Sequence, residues 1–119
     1  MGTQWDKEFF RAADRLLAEN EVVIDRPKGS RHPRYPDFIY KLDYGYLKGT
    51  MSMDQGGIDI WLGSGDRGTV CAVMCIIDLM KKDSEIKLLA GCTEEEMETV
   101  YETHNEKPFM KGILIKREE

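Results

Sequence analysis

The chain has 119 residues, 41% of them hydrophobic and 33% charged, with eleven glycines and four prolines; that length and balance suit one domain with its own core and exclude a disordered or collagen-like chain. With 22 acidic against 17 basic residues the net charge is −5, which weighs against a broad nucleic-acid surface or an anionic membrane partner. Three cysteines without a CxxC pair, and only two histidines, argue against structural zinc. The longest apolar stretch, Val70 to Leu79, is interrupted by Asp78 and is too short to cross a bilayer. The opening MGTQWDKEFF lacks a basic start followed by an apolar run, so a cytoplasmic protein with reduced cysteines is expected.

The first element reads as a helix. Thr3 can cap it with Asp6 three residues on, and Trp5, Phe9, Ala13, Leu16 and Leu17 recur at helical spacing as its expected core face, with an end near Asn20. Glu21 to Asp25 reads as a short strand. RPKGSRHPRYPD follows as a shaped loop punctuated by proline and glycine, and the chain reads as irregular from Phe38 to Asp59. Ile58, Ile60 and Leu62 then alternate with Asp59 and Trp61, and a turn cluster runs from Gly63 to Gly68. Thr69 to Ile77 reads as a buried strand and Glu85 to Ala90 as another. Thr93 with Glu96 forms a capping box for a second helix, whose Met97, Val100, Tyr101 and His104 share one face. The last strand is Gly112 to Lys116. Because helices do not alternate with strands, the expected fold is mainly β with flanking helices, as a small antiparallel OB-like β-barrel spanning residues 1–119.

The polar groups cluster in the middle of the chain. Asp25 ends a strand; Lys28, Arg31 and Arg34 follow within nine residues; Tyr40, Asp43, Tyr44 and Tyr46 come next. Asp54 and Asp59 flank Gly56 and Gly57. Two carboxylates across a glycine turn can converge on one hard cation such as Mg2+, which takes oxygen ligands and keeps several waters. Arginines beside it offer the planar fork that suits phosphate. The plainer alternative is that both aspartates are turn residues, since Asp before Gly initiates turns.

Three stretches resemble the soluble inorganic pyrophosphatases, a magnesium-using family with a small antiparallel barrel. They are VVIDRPKGSRHPRY, YKLDYGYLKGTMSMDQGGID and EIKLLAG, covering roughly half of the chain in the family's order. The resemblance implies metal ligands at Asp25, Asp54, Asp59 and Glu85, with a further one at Asp78 or Asp83. It implies phosphate contacts from Arg34, Tyr40, Tyr44 and Lys87, and it sets His104 where the family has a Tyr-Lys pair. Lys28 and Arg31 can replace lost positive charge. Gly56 stands where the family's water-orienting aspartate would be. The implied function is magnesium-dependent hydrolysis of pyrophosphate or a small phosphoanhydride, with Asp59 or Asp25 taking the proton. One rival is a non-catalytic sensor that binds a phosphate compound in the same pocket. Another is a barrel that binds single-stranded nucleic acid through Tyr44, Tyr46 and Trp61, which the net charge disfavours. A small phosphate-containing partner is therefore expected, with no membrane partner, and association into homo-oligomers is left open.

Overall fold

The computed structural model describes residues 3–118. Met1, Gly2 and Glu119 of the expected domain 1–119 lie outside the described residues. Helix α1 spans Gln4–Glu19, followed by strands β1 (Val22–Arg26), β2 (Asp43–Leu47), β3 (Ile58–Leu62), β4 (Val70–Asp78) and β5 (Asp83–Ala90), helix α2 (Glu94–Thr103) and strand β6 (Met110–Lys116). No helix among the described residues is long and apolar enough to cross a membrane.

The expected closed antiparallel barrel is not what forms. The six strands make one open mixed sheet in the order β1-β2-β3-β5-β4-β6. Every neighbouring pair is antiparallel except β3 and β5, which run parallel. The edges β1 and β6 do not meet. The reason lies in the central strands, which are apolar on both faces and need a layer on each side. Leu47, Ile60, Leu62, Val70, Val73, Leu88 and Ala90 pack on Phe10, Ala13 and Leu17 of α1. Trp61, Ala72, Met74, Ile76 and Leu89 pack on Met97 and Val100 of α2 from the opposite side. With one helix over each face the sheet stays open, its edge strands β1 and β6 unpaired with each other.

Helix α1 is capped as expected. Thr3 Oγ1 accepts the Asp6 amide at 3.1 Å, and Asp6 accepts the Thr3 amide. Its buried face differs in part from the expected one. Trp5 is 77% exposed and Phe9 44%, while Phe10 is 3% exposed. Ala13, Leu16 and Leu17 meet the sheet as expected, and Phe10 takes the place expected of Phe9 and Trp5. Asp14 sets that phase: its carboxylate accepts the Val70 amide at 2.9 Å and pairs with the Arg117 guanidinium at 2.8 Å, fixing α1 over the start of β4 and the end of the chain.

Strand β2 falls within a stretch read from sequence as irregular. A glycine inside a strand weakens its sequence signal, yet here Gly45 is what permits the pairing. A Cβ at Gly45 would collide with the Val23 carbonyl, beside an irregularity in β1 between Val23 and Arg26.

Helix α2 begins with Thr93 Oγ1 accepting the Glu96 amide at 3.1 Å, while the Glu96 carboxylate accepts the Thr93 amide at 2.9 Å. The same carboxylate accepts the Ser64 amide at 3.1 Å, so this cap also fastens the β3–β4 loop. Thr93→Ala is expected to lower stability by about 0.5–2 kcal/mol, read as a lower denaturant midpoint at unchanged slope.

Candidate functional site

The alternation of three strands brings the key side chains to one face of the sheet. Tyr44 pairs with Trp61 and Tyr46 with Asp59. Trp61 pairs with Leu89 across the parallel seam, so Asp59 comes beside Lys87, and Glu85 lies on the same face two residues earlier. This is the face that α2 covers farther along.

Lys87 is the centre. It is 7% exposed. Its Nζ donates to Asp59 Oδ2 at 2.8 Å and to Tyr44 Oη at 2.5 Å, and it lies 3.7 Å from Glu85 Oε2. Its ammonium is also 5.1 Å from the Tyr44 ring centroid. Burial first, and then the Asp59 carboxylate, holds the Tyr44 phenol well above its ordinary range; it remains a neutral hydroxyl.

Asp54 joins from the β2–β3 loop. One carboxylate oxygen from each of Asp54, Asp59 and Glu85 lies within 4.8 Å of the others. Asp54 Oδ1 accepts the Ser52 hydroxyl at 2.5 Å and the Gly56 amide at 2.9 Å. Those bonds, Ser52 first, hold its carboxyl below the ordinary range, with Lys87 and Lys81 adding to the effect. The left-handed residue of this turn is Gln55, at φ 67°, rather than either glycine. Glu85 moves the other way. Burial raises its pKa, Lys87 opposes, and Asp59 and Asp54 raise it further. Glu85 is thus held up while Asp54 is held down.

The three carboxylates carry three negative charges against the single ammonium of Lys87, a surplus of two. Magnesium requires oxygens about 2.0–2.1 Å from the ion in octahedral array. Three carboxylate oxygens this close can reach such positions by side-chain rotation, so the donor set fits a hard divalent cation. Asp54 faces solvent, leaving room for retained water.

The remaining sequence-derived candidates are placed elsewhere or are engaged differently. Asp25 is exposed and lies 3.4 Å from its neighbour Arg26. Asp78 is buried and accepts the Met80 and Lys81 amides at 2.9 and 3.0 Å, capping the β4–β5 turn. Asp83 is its partner across that hairpin. Neither these two nor Asp25 belongs to the carboxylate cluster. Lys28 lines a surface hollow with Lys41, Leu42 and Thr93 at the start of α2, and its amide donates to Asp43 at 2.8 Å. Arg31 donates to the Pro36 carbonyl at 2.8 Å and braces its own loop. Tyr40 is buried against Tyr44 and Trp61. His104 is 6% exposed, and its Nε2 accepts the Trp61 indole N–H at 3.0 Å. Burial, aided by Lys87, lowers its pKa to about 3, so it stands as a neutral prop behind Trp61.

Arg34 is exposed, and with Arg26 and Lys81 it depresses the His32 pKa, after burial as the leading cause. Lys81 also acts on Asp54 and Glu85. It therefore links the basic loop to the acidic cluster. Lys81 and Ser52 escape a reading of sequence alone. Ser52 has a local signal in the Ser-x-Asp-x-Gly spacing of a side-chain-bonded turn; Lys81 has none, because only the hairpin's direction places it.

Glu85→Gln is expected to raise stability at neutral pH in the absence of divalent ions. Because the folded-state pKa of Glu85 is raised, its contribution is fully present below the unfolded value of 4.5 and is lost as pH rises through the folded value. Denaturant unfolding across that window should show the parent losing stability with pH more steeply than the variant. Equal slopes would contradict the arrangement.

In overall fold the chain is similar to an inorganic pyrophosphatase from the pathogenic bacterium Helicobacter pylori, with a TM-score of 0.53 and 14% identity over 80% of this chain and 81% of that one. It is similar as well to an inorganic phosphatase from Anaplasma phagocytophilum, with a TM-score of 0.54 and 13% identity over 80% and 81% of the two chains. No protein-family model and no curated protein sequence matches. The likeness is one of fold, and it establishes a distant structural relationship to soluble inorganic pyrophosphatase folds.

Proposed function

We propose that this protein hydrolyses inorganic pyrophosphate or a small phosphoanhydride with magnesium. The observation that carries the proposal is the surplus of two negative charges where Asp54, Asp59 and Glu85 meet Lys87. A divalent cation balances that surplus. The fold likeness to an inorganic pyrophosphatase supports the choice of substrate class.

Asp54 and Asp59 would hold the ion. When bound, it supplies charge against phosphate oxygens and makes a bound water more acidic. Lys87 holds Asp59 in one orientation and is itself steadied by Tyr44. Glu85, kept above the ordinary carboxyl range by burial and by its acidic neighbours, is suited to accept the proton of an attacking water. Arg34 and Lys81 are the cations facing outward on the adjoining loop and hairpin, where they would meet the anionic substrate. Lys87 supports the cluster more than it contacts phosphate, since its ammonium is already taken up by Asp59, Tyr44 and Glu85.

A second reading is favoured by one specific feature. At position 56, where the resemblance calls for a water-orienting aspartate, a glycine amide instead donates to Asp54. The same groups would then bind a phosphate compound without cleaving it, as a sensor.

Asp54→Asn and Asp59→Asn are each expected to weaken magnesium binding at least about tenfold, since loss of a ligand should exceed the cost of disturbing a ligand's support. Calorimetric titration measures that binding, and phosphate release from pyrophosphate measures turnover in parallel. Release by the parent and its loss in both variants supports the hydrolase. Magnesium and pyrophosphate binding by a parent that releases no phosphate supports the sensor. Unchanged magnesium affinity in both variants overturns the metal role. Arg34→Ala is expected to weaken pyrophosphate binding by about 1.5–3 kcal/mol, the usual worth of a charge-assisted hydrogen bond. Unaltered affinity would remove Arg34 from the site.

A further inference from the structure

Two of the three cysteines meet at the opposite end of the α2-covered face. Cys71 is the extra residue where the β4–β5 register shifts between Val70 and Ala72. Cys92 follows β5 through Gly91, whose φ of 66° turns the chain back over β4. The Gly91 amide donates to the Thr69 carbonyl at 3.3 Å, which fixes that return. As a result the Cys92 amide donates to Cys71 Sγ at 3.4 Å, while the Cys71 thiol faces the Leu89 carbonyl at 3.3 Å and the Cys92 thiol the Ala90 carbonyl at 3.8 Å. Both are half-buried, so small reagents can reach them, and Cys75 is free as well.

A bulge in one strand and a left-handed glycine after the next together bring the Cys92 backbone onto the Cys71 sulfur just before the start of α2. Thiols near a helix N-terminus are biased toward thiolate. We propose that Cys71 and Cys92 form a redox-active dithiol, with Cys71 attacking and Cys92 resolving, which closes to a disulfide when the protein meets a low-molecular-weight disulfide.

The chemistry balances as thiol–disulfide exchange. Cys71 gives its proton to water, and its thiolate attacks one sulfur of the small disulfide; the S–S bond breaks and a small thiolate leaves. Cys92 then gives its proton to that thiolate. The Cys92 thiolate attacks Cys71 Sγ in the mixed disulfide and expels the second small thiolate, which takes a proton from water. The protein is oxidised by two electrons, and one small disulfide becomes two small thiols. Hydrogen bonding from Cys92 brings the Cys71 pKa down to about 7, against opposing burial and the opposing charge of Glu96. The Cys92 thiol is held up by its bond to Cys71, with Glu96 adding and Arg67 opposing. Forming the mixed disulfide removes that thiolate, and with it the leading cause of Cys92's reluctance to ionise.

The test uses the whole chain and glutathione disulfide. Alkylatable thiols are counted by mass spectrometry before and after exposure, and peptides are mapped without reduction. The expected result is a fall from three thiols to one, a peptide joining Cys71 to Cys92, and Cys75 still alkylated. Cys75→Ser, confirmed folded by circular dichroism, should fall from two thiols to none. In Cys92→Ser, Cys71 should stop at a glutathione adduct. Three thiols that persist in the folded parent, a cross-link through Cys75, or an adduct on Cys71 that never resolves in the parent would each overturn the proposal.

Discussion

A lysine ammonium taken out of water loses hydration that only close negative partners can replace. Lys87 imposes that requirement at the middle of this sheet, where it is 7% exposed. Its partners come from both sides of the parallel seam: Asp59 and Tyr44 from β3 and β2, and Glu85 from its own strand. The ion pair therefore depends on the β3–β5 pairing and supports it in turn. Supplying carboxylates in excess of the one cation creates the acidic surplus on which the candidate chemistry rests. Replacing Lys87 and its partners with apolar residues would relieve the desolvation cost and erase the site.

The back of the site is a layer of rings. Tyr40, Tyr44 and Trp61 lie within 4.6 to 5.8 Å of one another, centroid to centroid, and His104 fixes Trp61 by its indole N–H. His104 also caps the C-terminal end of α2. The position of that helix is thus passed through Trp61 to Tyr44 and so to Lys87. Packed rings leave little space for water behind the ammonium, which strengthens each polar contact in front of it.

Local chemistry was the legible part of the sequence. Both capping boxes follow from Thr3-x-x-Asp6 and Thr93-x-x-Glu96, because a cap is decided within four residues. The layers were harder to read. Apolar runs such as VCAVMCII mark a buried strand but do not say whether a barrel wall or two helices cover it. Strand β2 was hidden because Gly45 lowers the local signal, while the Val23 backbone that needs it lies more than twenty positions away. On α1 the later turns were legible in Ala13, Leu16 and Leu17, but the choice between Phe9 and Phe10 was not, because two adjacent phenylalanines satisfy the helical period almost equally and Asp14 decides between them through distant Val70 and Arg117. Of the site candidates, Asp54, Asp59, Glu85, Lys87 and Tyr44 come together in space. Several of the others are taken up by partners that a one-dimensional reading does not reveal: Asp78 by its hairpin amides, Arg31 by the Pro36 carbonyl, and His104 by the indole of Trp61. Lys81 shows the converse, an unremarked residue placed beside the cluster by the direction of a turn.

The single parallel pairing also bears on the order in which the chain gains structure. Strands β1, β2 and β3 form one run of antiparallel neighbours, and β4, β5 and β6 form a second, with β4 and β5 joined by a four-residue turn. Closing the short turn costs little chain entropy. Joining the two runs requires β5 to dock on β3 across the whole of β4, a longer loop and a slower event. Asp59 belongs to the first run, while Glu85 and Lys87 belong to the second. A chain that has built both halves without joining them has native-like strands and no site, so function reports on the docking step and not on strand content.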